Sequence, residues 1–281
     1  MNNFSFEDLK GKVCVITGGA GVIGSVLTEG LGRAGVRTAI LDIDEQQAVK
    51  VAEQVEKSTG TEMAGLKANV LDKESLLAAR EKISARFGAV NLLINGAGGN
   101  SPKATTQLEQ ITDLTELDRS FFGLGMEGFE KVFALNFTGT LLPSMVFAED
   151  MLKNRKGVIL NISSMNSFRP LTKIPAYSAA KASVNNFTQW LAVHLAKTGI
   201  RVNAIAPGFF LTQQNRFLLT DEKSGAPTPR GIKIISNTPV GKYGNPEDLV
   251  GATLFLLSDL SEFITGIILP VDGGYSAYGG V

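Results

Sequence analysis

Along most of the chain, short apolar runs alternate with longer stretches in which apolar and polar positions recur at helical spacing. VCVIT (13–17), TAILD (38–42), MAGLKA (63–68), VNLLIN (90–95), GVILNIS (157–163), RVNAIA (201–206) and GIILPV (266–271) are close to continuous in hydrophobicity. A strand covered on both faces needs that pattern, because neither face meets water. Helical spacing fills 22–34, 45–58, 73–87, 127–153, 176–198 and 246–258. This alternation predicts an α/β fold, a doubly wound parallel sheet of about seven strands with helices on both faces. In such a sheet ligands bind at the carboxyl ends of the strands, where strand order reverses.

A single domain over 1–281 is expected, since one large sheet accommodates this length and the sequence has neither repeat nor linker. Two turn-rich segments, 99–128 and 209–240, follow strand ends and are expected to be excursions around a substrate site. Lys plus Arg equals Asp plus Glu at 27 each, which argues against nucleic acid or an anionic membrane as partner. The polar start MNNFSFEDLKGK lacks a signal-peptide pattern, and no run approaches the ~18 apolar residues of a bilayer span. A cytoplasmic location and a small-molecule ligand are therefore expected. The only cysteine, Cys14, lies inside an apolar run, so no internal disulfide and no metal site are expected.

Candidate chemistry begins right after the first run. In TGGAGVIG, Gly18, Gly21 and Gly24 are three apart ahead of a helix, a spacing that lets backbone approach a pyrophosphate at the helix's positive end. Asp42 closes the second run 24 residues after Gly18, where a carboxylate accepts from adenosine ribose hydroxyls and repels a 2′-phosphate. No Lys or Arg follows at Ile43 or Asp44, so NAD is expected and NADP is disfavoured. Asp44 is the expected N-cap of the next helix.

In PAYSAAKASVNNFTQWLAVHLA, Tyr177 and Lys181 are four apart and share one helix face. A phenol with its ordinary pKa near ~10 exchanges protons poorly at neutral pH, and a nearby ammonium favours the phenolate. Alone, such a pair is common on helix surfaces. Here Ser164 ends the preceding run 13 residues earlier, placing a hydroxyl where it can bond a substrate carbonyl. The sole histidine, His194, lies far along the same helix and is assigned to packing or a subunit contact.

Taken in order, these segments resemble the short-chain dehydrogenase/reductase family over nearly the whole length. The resemblance implies a Rossmann-type fold and NAD-dependent interconversion of a carbonyl and a secondary alcohol. Thr17 to Gly24, with Val22 and Ile23, is similar to the family's cofactor turn, and Asn95-Gly96-Ala97-Gly98 to its strand-end motif. Asn136 in LNFTG resembles the asparagine that completes a catalytic tetrad with Ser164, Tyr177 and Lys181. Pro207-Gly208 with Thr212 resembles the nicotinamide-carboxamide segment. The roles implied are proton exchange by Tyr177, orientation of the substrate oxygen by Ser164, and ribose binding and lowering of the tyrosine pKa by Lys181. Asn136 would hold a water linking Lys181 to solvent. Asn95 is placed by the adenosine, and Asn69-Val70 where the family has an Asp-hydrophobic pair at adenine. The sequence departs from the family at Asn69 and in the turn, where TGxxGxxG replaces TGxxxGxG and Val22 stands at the penultimate glycine position.

Asn95 and Asn136 are 41 positions apart, a longer separation than is usual in the family. With NGAGGNSPKATT and GFFLTQQNRFLL, this makes the sequence similar to the family's own group of D-mannonate oxidoreductases, or fructuronate reductases. That similarity implies interconversion of D-fructuronate and D-mannonate. The alternatives are another polyol or sugar-acid dehydrogenase, such as a gluconate 5-dehydrogenase, and a non-catalytic dinucleotide-sensing protein. A sugar acid calls for guanidinium and amide donors. Arg216 is the first candidate, followed by Asn100, Asn166 and Arg169, with Lys103, Gln214 and Asn215 on the same loops. The family's helix contacts imply a homo-oligomer, with a tetramer expected.

Overall fold

The order β1 (Val13–Thr17), α1 (Val22–Arg33), β2 (Arg37–Asp42), α2 (Glu45–Thr59), β3 (Met63–Lys67), α3 (Lys73–Phe87) and β4 (Leu92–Asn95) makes the first half of a doubly wound sheet. The second half comprises α4 (Met126–Phe133), α5 (Gly139–Asn154), β5 (Gly157–Ile162), α6 (Pro175–Leu195) and β6 (Ile200–Pro207). It closes with α7 (Arg216–Leu219), α8 (Pro229–Ser236), α9 (Asp248–Leu257) and β7 (Ile268–Val271). This architecture comes from a computed structural model that describes residues 5–212, 216–221 and 224–280, excluding the Phe217 side chain. The seven strands form one parallel sheet in the order β3-β2-β1-β4-β5-β6-β7. Strand order reverses between β1 and β4, where Thr17 lies opposite both Leu41 and Asn95.

Every residue of β1, β4 and β5 is buried, as their continuous apolar pattern requires. Side chains still alternate between faces. Cys14 and Ile16 pack with Leu27 and Leu31 of α1, Val51 of α2 and Leu256 of α9. Val13 and Val15 pack on the other face with Ile83 of α3, Phe147 of α5 and Leu191 of α6. The Asp44 carboxylate accepts from the Gln47 amide at 3.1 Å and caps α2 as expected.

The helix expected over 127–153 is interrupted. Between α4 and α5, Ala134–Thr138 forms a π turn, a form found mostly as single-turn bulges at functional sites. The Asn136 amide nitrogen donates to the Val132 carbonyl at 2.8 Å, so it competes for the acceptor that the residue's own backbone N–H would use in an α-helix. Met126–Asn154 as a whole is long and apolar enough to cross a bilayer. Its Val146, Phe147 and Met151 are instead buried in the sheet-facing core.

Both excursions carry structure. Segment 99–128 holds 3₁₀ turns at Pro102–Ala104, Leu114–Arg119 and Phe121–Gly123. Segment 209–240 holds α7 and α8, and α8 starts with Thr228 capping the Gly231 amide ahead of Pro229. The excursions meet where Lys233 of α8 pairs with Glu109 at 3.2 Å.

Candidate active site

Above the switch point lies a cleft of about 670 Å³. Its floor is backbone. Gly18 has φ +63°, and a Cβ there would stand 2.8 Å from the Ala97 Cα; a Cβ on Gly24 would stand 2.3 Å from the Gly18 carbonyl oxygen. Gly21 caps α1 with an extended backbone and no capping bond from a side chain, leaving first-turn amides open to an anion. The spacing of the turn thus assigns its two close approaches to Gly18 and Gly24, while Val22 and Ile23 line the cleft from the first turn of α1. The hydroxyl of Thr17, the first residue of the expected cofactor turn, accepts from the Gly96 and Ala97 amides at 3.1 and 3.2 Å and ties the two strand ends together.

The Asp42 carboxylate stands at the cleft edge, accepting from the Ala20 amide at 3.3 Å and the Asp44 amide at 3.2 Å. Asn69 and Val70 line the same end with Ile43 and Leu71. Gly96, Ala97, Gly98, Gly208 and Thr212 complete the wall, together with Leu135, Phe209 and Phe210. Of these apolar residues, Phe209 and Phe210 follow the end of β6 and Leu135 precedes Asn136 in the π turn. Asn95 does not line the cleft. Its amide nitrogen is turned inward to Ser144 at 2.9 Å and to Asn161 at 2.8 Å, so it supports the sheet beneath the site.

A chamber of about 200 Å³ continues from the cleft through Ile23, Gly24, Gly96, Gly98 and Gly208, and is lined by Ser164, Tyr177, Lys181 and Pro207. Ser164 caps a 3₁₀ turn by accepting from the Asn166 amide at 3.2 Å. Asn185 of α6 bonds Ser163 and Ser167 on either side of it, clamping the turn to the helix that carries Tyr177. Burial raises the Tyr177 phenol above its ordinary pKa, and a hydrogen bond with Ser164 partly offsets this. Lys181 is 3% exposed, donates to the Ile162 carbonyl at 2.7 Å and lies 5.7 Å from the Tyr177 ring centroid. Burial brings its ammonium down to about 8.

Asn136, fully buried, accepts from the Gly99 amide at 3.2 Å and donates to the Gly99 carbonyl at 2.7 Å. A Cβ on Gly98 would lie 2.7 Å from Asn136 Oδ1 and 3.1 Å from Lys181 Nζ, so this glycine keeps the space between the two side chains free. All four expected tetrad residues are therefore brought together.

The substrate candidates are more dispersed. Asn100 donates to Thr105 at 2.9 Å on the exposed rim. Asn166 is buried in the Ser164 turn. Arg169 donates to the Tyr278 carbonyl in the C-terminal segment. Arg216 is exposed at the start of α7, beyond Thr212, while Gln214 and Asn215 lie outside the described residues. Lys103 is paired with Glu127 at 3.3 Å. The first excursion forms a wall beside the tetrad: Ala104 packs with Val132 and Ala176, against which Phe129 and Tyr177 rest.

The glycine cradle, open helix terminus and acidic strand end fit a dinucleotide, and the adjoining chamber adds a proton-exchanging pair. Comparison with known proteins agrees. A family model described as enoyl-(acyl carrier protein) reductase matches residues 18–276. An uncharacterized oxidoreductase of Haemophilus influenzae is 51% identical over 283 residues, covering 100% of this chain, and 99% of its own. UxuB of Bacillus subtilis, another uncharacterized oxidoreductase, is 51% identical over 98% of both chains. A Haemophilus crystal structure with bound NAD, provisionally described as a D-mannonate oxidoreductase, superposes with a TM-score of 0.93 at 51% identity over 98% of each chain. This protein belongs to the short-chain dehydrogenase/reductase family of oxidoreductases.

Proposed function

We propose that this protein is a cytoplasmic, single-domain NAD-dependent dehydrogenase that interconverts D-fructuronate and D-mannonate. The observation that carries the reading is the joining of a glycine-floored cleft ending at Asp42 to a chamber holding Ser164, Tyr177 and Lys181. Gly18 and Gly21 to Gly24 would hold the pyrophosphate, Asp42 the adenosine ribose, Asn69 and Val70 the adenine, and Pro207 to Thr212 the carboxamide end. Bound NAD supplies the hydride exchange. The D-mannonate assignment of the NAD-bound relative supports both cofactor and substrate.

Within the chamber, Ser164 orients the substrate oxygen and Tyr177 exchanges a proton with it. In reduction the phenol gives up its proton to that oxygen; in oxidation it takes one back. Lys181 holds its ammonium beside the ring, where positive charge favours the phenolate that follows proton donation. Asn136 braces the opposite wall through Gly99. Homotetramer formation is part of this reading, supported by Met145 and Leu152 on α5 and Trp190 and Val193 on α6, all large apolar side chains left exposed.

The decisive experiment follows NADH oxidation against keto sugar acids, ketoses and acyl ketones, repeated with NADPH, on protein whose mass is measured by light scattering. D-fructuronate is expected to be reduced most efficiently, with NADH strongly preferred. Turnover of an acyl ketone but of no sugar acid overturns the substrate, and equal use of NADPH overturns the role of Asp42.

A further inference from the structure

We infer that the substrate carboxylate is held by Arg169 together with Tyr275, a pair that the C-terminal turn sets between the loop carrying Ser164 and the cleft-lining Phe209. The inference rests on the sugar-acid reading above and deepens it, moving the anchor from Arg216 to a pair whose second member is a residue of the turn after β7.

That turn is built rigidly. Both oxygens of Asp272 accept from backbone, from Gly274 at 2.9 Å and from Ser276 at 2.8 Å, so this carboxylate is committed to shaping the turn. Gly208 packs on it closely enough that a Cβ there would lie 2.6 Å from the Asp272 Cβ. The turn is thereby fixed to the strand end that lines both cleft and chamber. One residue further, Phe209 meets the Tyr275 ring edge-on with centroids 5.2 Å apart. On the other side, Arg169 lies five residues beyond Ser164 and donates to the Tyr278 carbonyl. The turn thus spans from the loop that carries Ser164 to the loop that covers the cofactor cleft.

Arg169 has no carboxylate partner among the described residues. Its bond is to a neutral backbone carbonyl, which a carboxylate can replace with a stronger, bidentate interaction. Tyr275 is half-buried, and its hydroxyl makes no hydrogen bond among the described residues, so a donor stands available. The two groups feel one another: burial raises the Tyr275 phenol, and the Arg169 charge pulls it back. The competing cations are less suited. Lys103 is neutralised by Glu127, and Arg216 lies on α7 beyond the cleft-lining Thr212, whereas Arg169 follows Ser164 by five residues.

The test uses Arg169→Met, Arg169→Lys and Tyr275→Phe in the full-length protein. D-fructuronate and D-fructose form the substrate pair, differing at one end by carboxylate against hydroxymethyl. Arg169→Met is expected to raise KM for fructuronate on the order of 10- to 100-fold, with kcat, NADH affinity by fluorescence and KM for fructose changed less than about threefold. Lysine should restore part of the loss, and Tyr275→Phe should give a smaller rise with the same selectivity. Equal effects on both sugars, or none on fructuronate, overturn the anchor while leaving the sugar-acid reading intact. If the wild type reduces no sugar acid, that reading fails by itself. The anchor is then judged by inhibition with D-mannonate against D-mannitol, using whichever carbonyl compound is turned over. Selective loss of mannonate inhibition in Arg169→Met sustains it, and mannonate inhibition that is absent or unchanged overturns it.

Discussion

At the cofactor end of the cleft the wall is main chain: Gly18 lies against Ala97, Gly24 against Gly18, and the amides of Gly96 and Ala97 hang on one threonine hydroxyl. At the substrate end side chains from distant segments meet instead: Ala104 and Phe129 pack beside Tyr177, with Glu109 and Lys233 meeting across the excursions. A backbone wall accepts one shape and leaves almost nothing to vary. A wall of side chains is held by weak, exchangeable contacts, so specificity can change there without disturbing the cofactor site.

The comparison can be tested where the two ends meet. Tyr177→Phe should lower kcat by about 10²- to 10⁴-fold while NADH binding, followed by fluorescence, stays intact; retained turnover would take the phenol out of the chemistry. Lys181 gives a pH signature. Its folded pKa of about 8 lies below the ordinary lysine value of 10.5. Burial therefore destabilises the fold in full below pH 8, and the penalty fades as pH rises toward 10.5. Relative to Lys181→Met, the wild type should gain roughly 3 kcal/mol across that window in chemical denaturation. A flat difference would mean that the ammonium is solvated.

A backbone wall should also be brittle. Gly24→Ala forces a Cβ toward the Gly18 carbonyl and should cost about 1–3 kcal/mol, lowering Tm and weakening NADH binding together. Unchanged cofactor affinity would show that the turn has room to shift. The smallest effect is expected at the substrate end. Glu109→Gln removes an exposed ion pair and should alter stability by no more than about 1 kcal/mol, with KM changes that vanish at high salt. A larger, salt-independent change would make the excursions a rigid wall as well.

Legibility in the sequence follows the same division. The strands and the glycine turn could be read because a buried parallel strand and a close backbone approach each leave a local pattern, and β1 coincides with VCVIT. The π turn could not, because Gly99, which holds Asn136, lies 37 residues away. Asn95 was expected at the adenosine, yet its partners Ser144 and Asn161 arrive from α5 and β5 and draw it inward. The start of α8 did leave a signal, Thr228 before Pro229, inside a stretch that otherwise reads as turns. Tyr275 left none, since only folding brings it to Phe209.

The π turn at Ala134–Thr138 also sets a phase. One added residue advances everything beyond it by about 100° around the helix axis. Asn136 can therefore face Gly99 while, farther along, Ser144 still meets Asn95 and Phe147 still meets the sheet. Removing a single residue from this turn would set those two demands against each other. The irregularity is what lets one continuous helical segment serve the reaction chamber at one end and the core at the other.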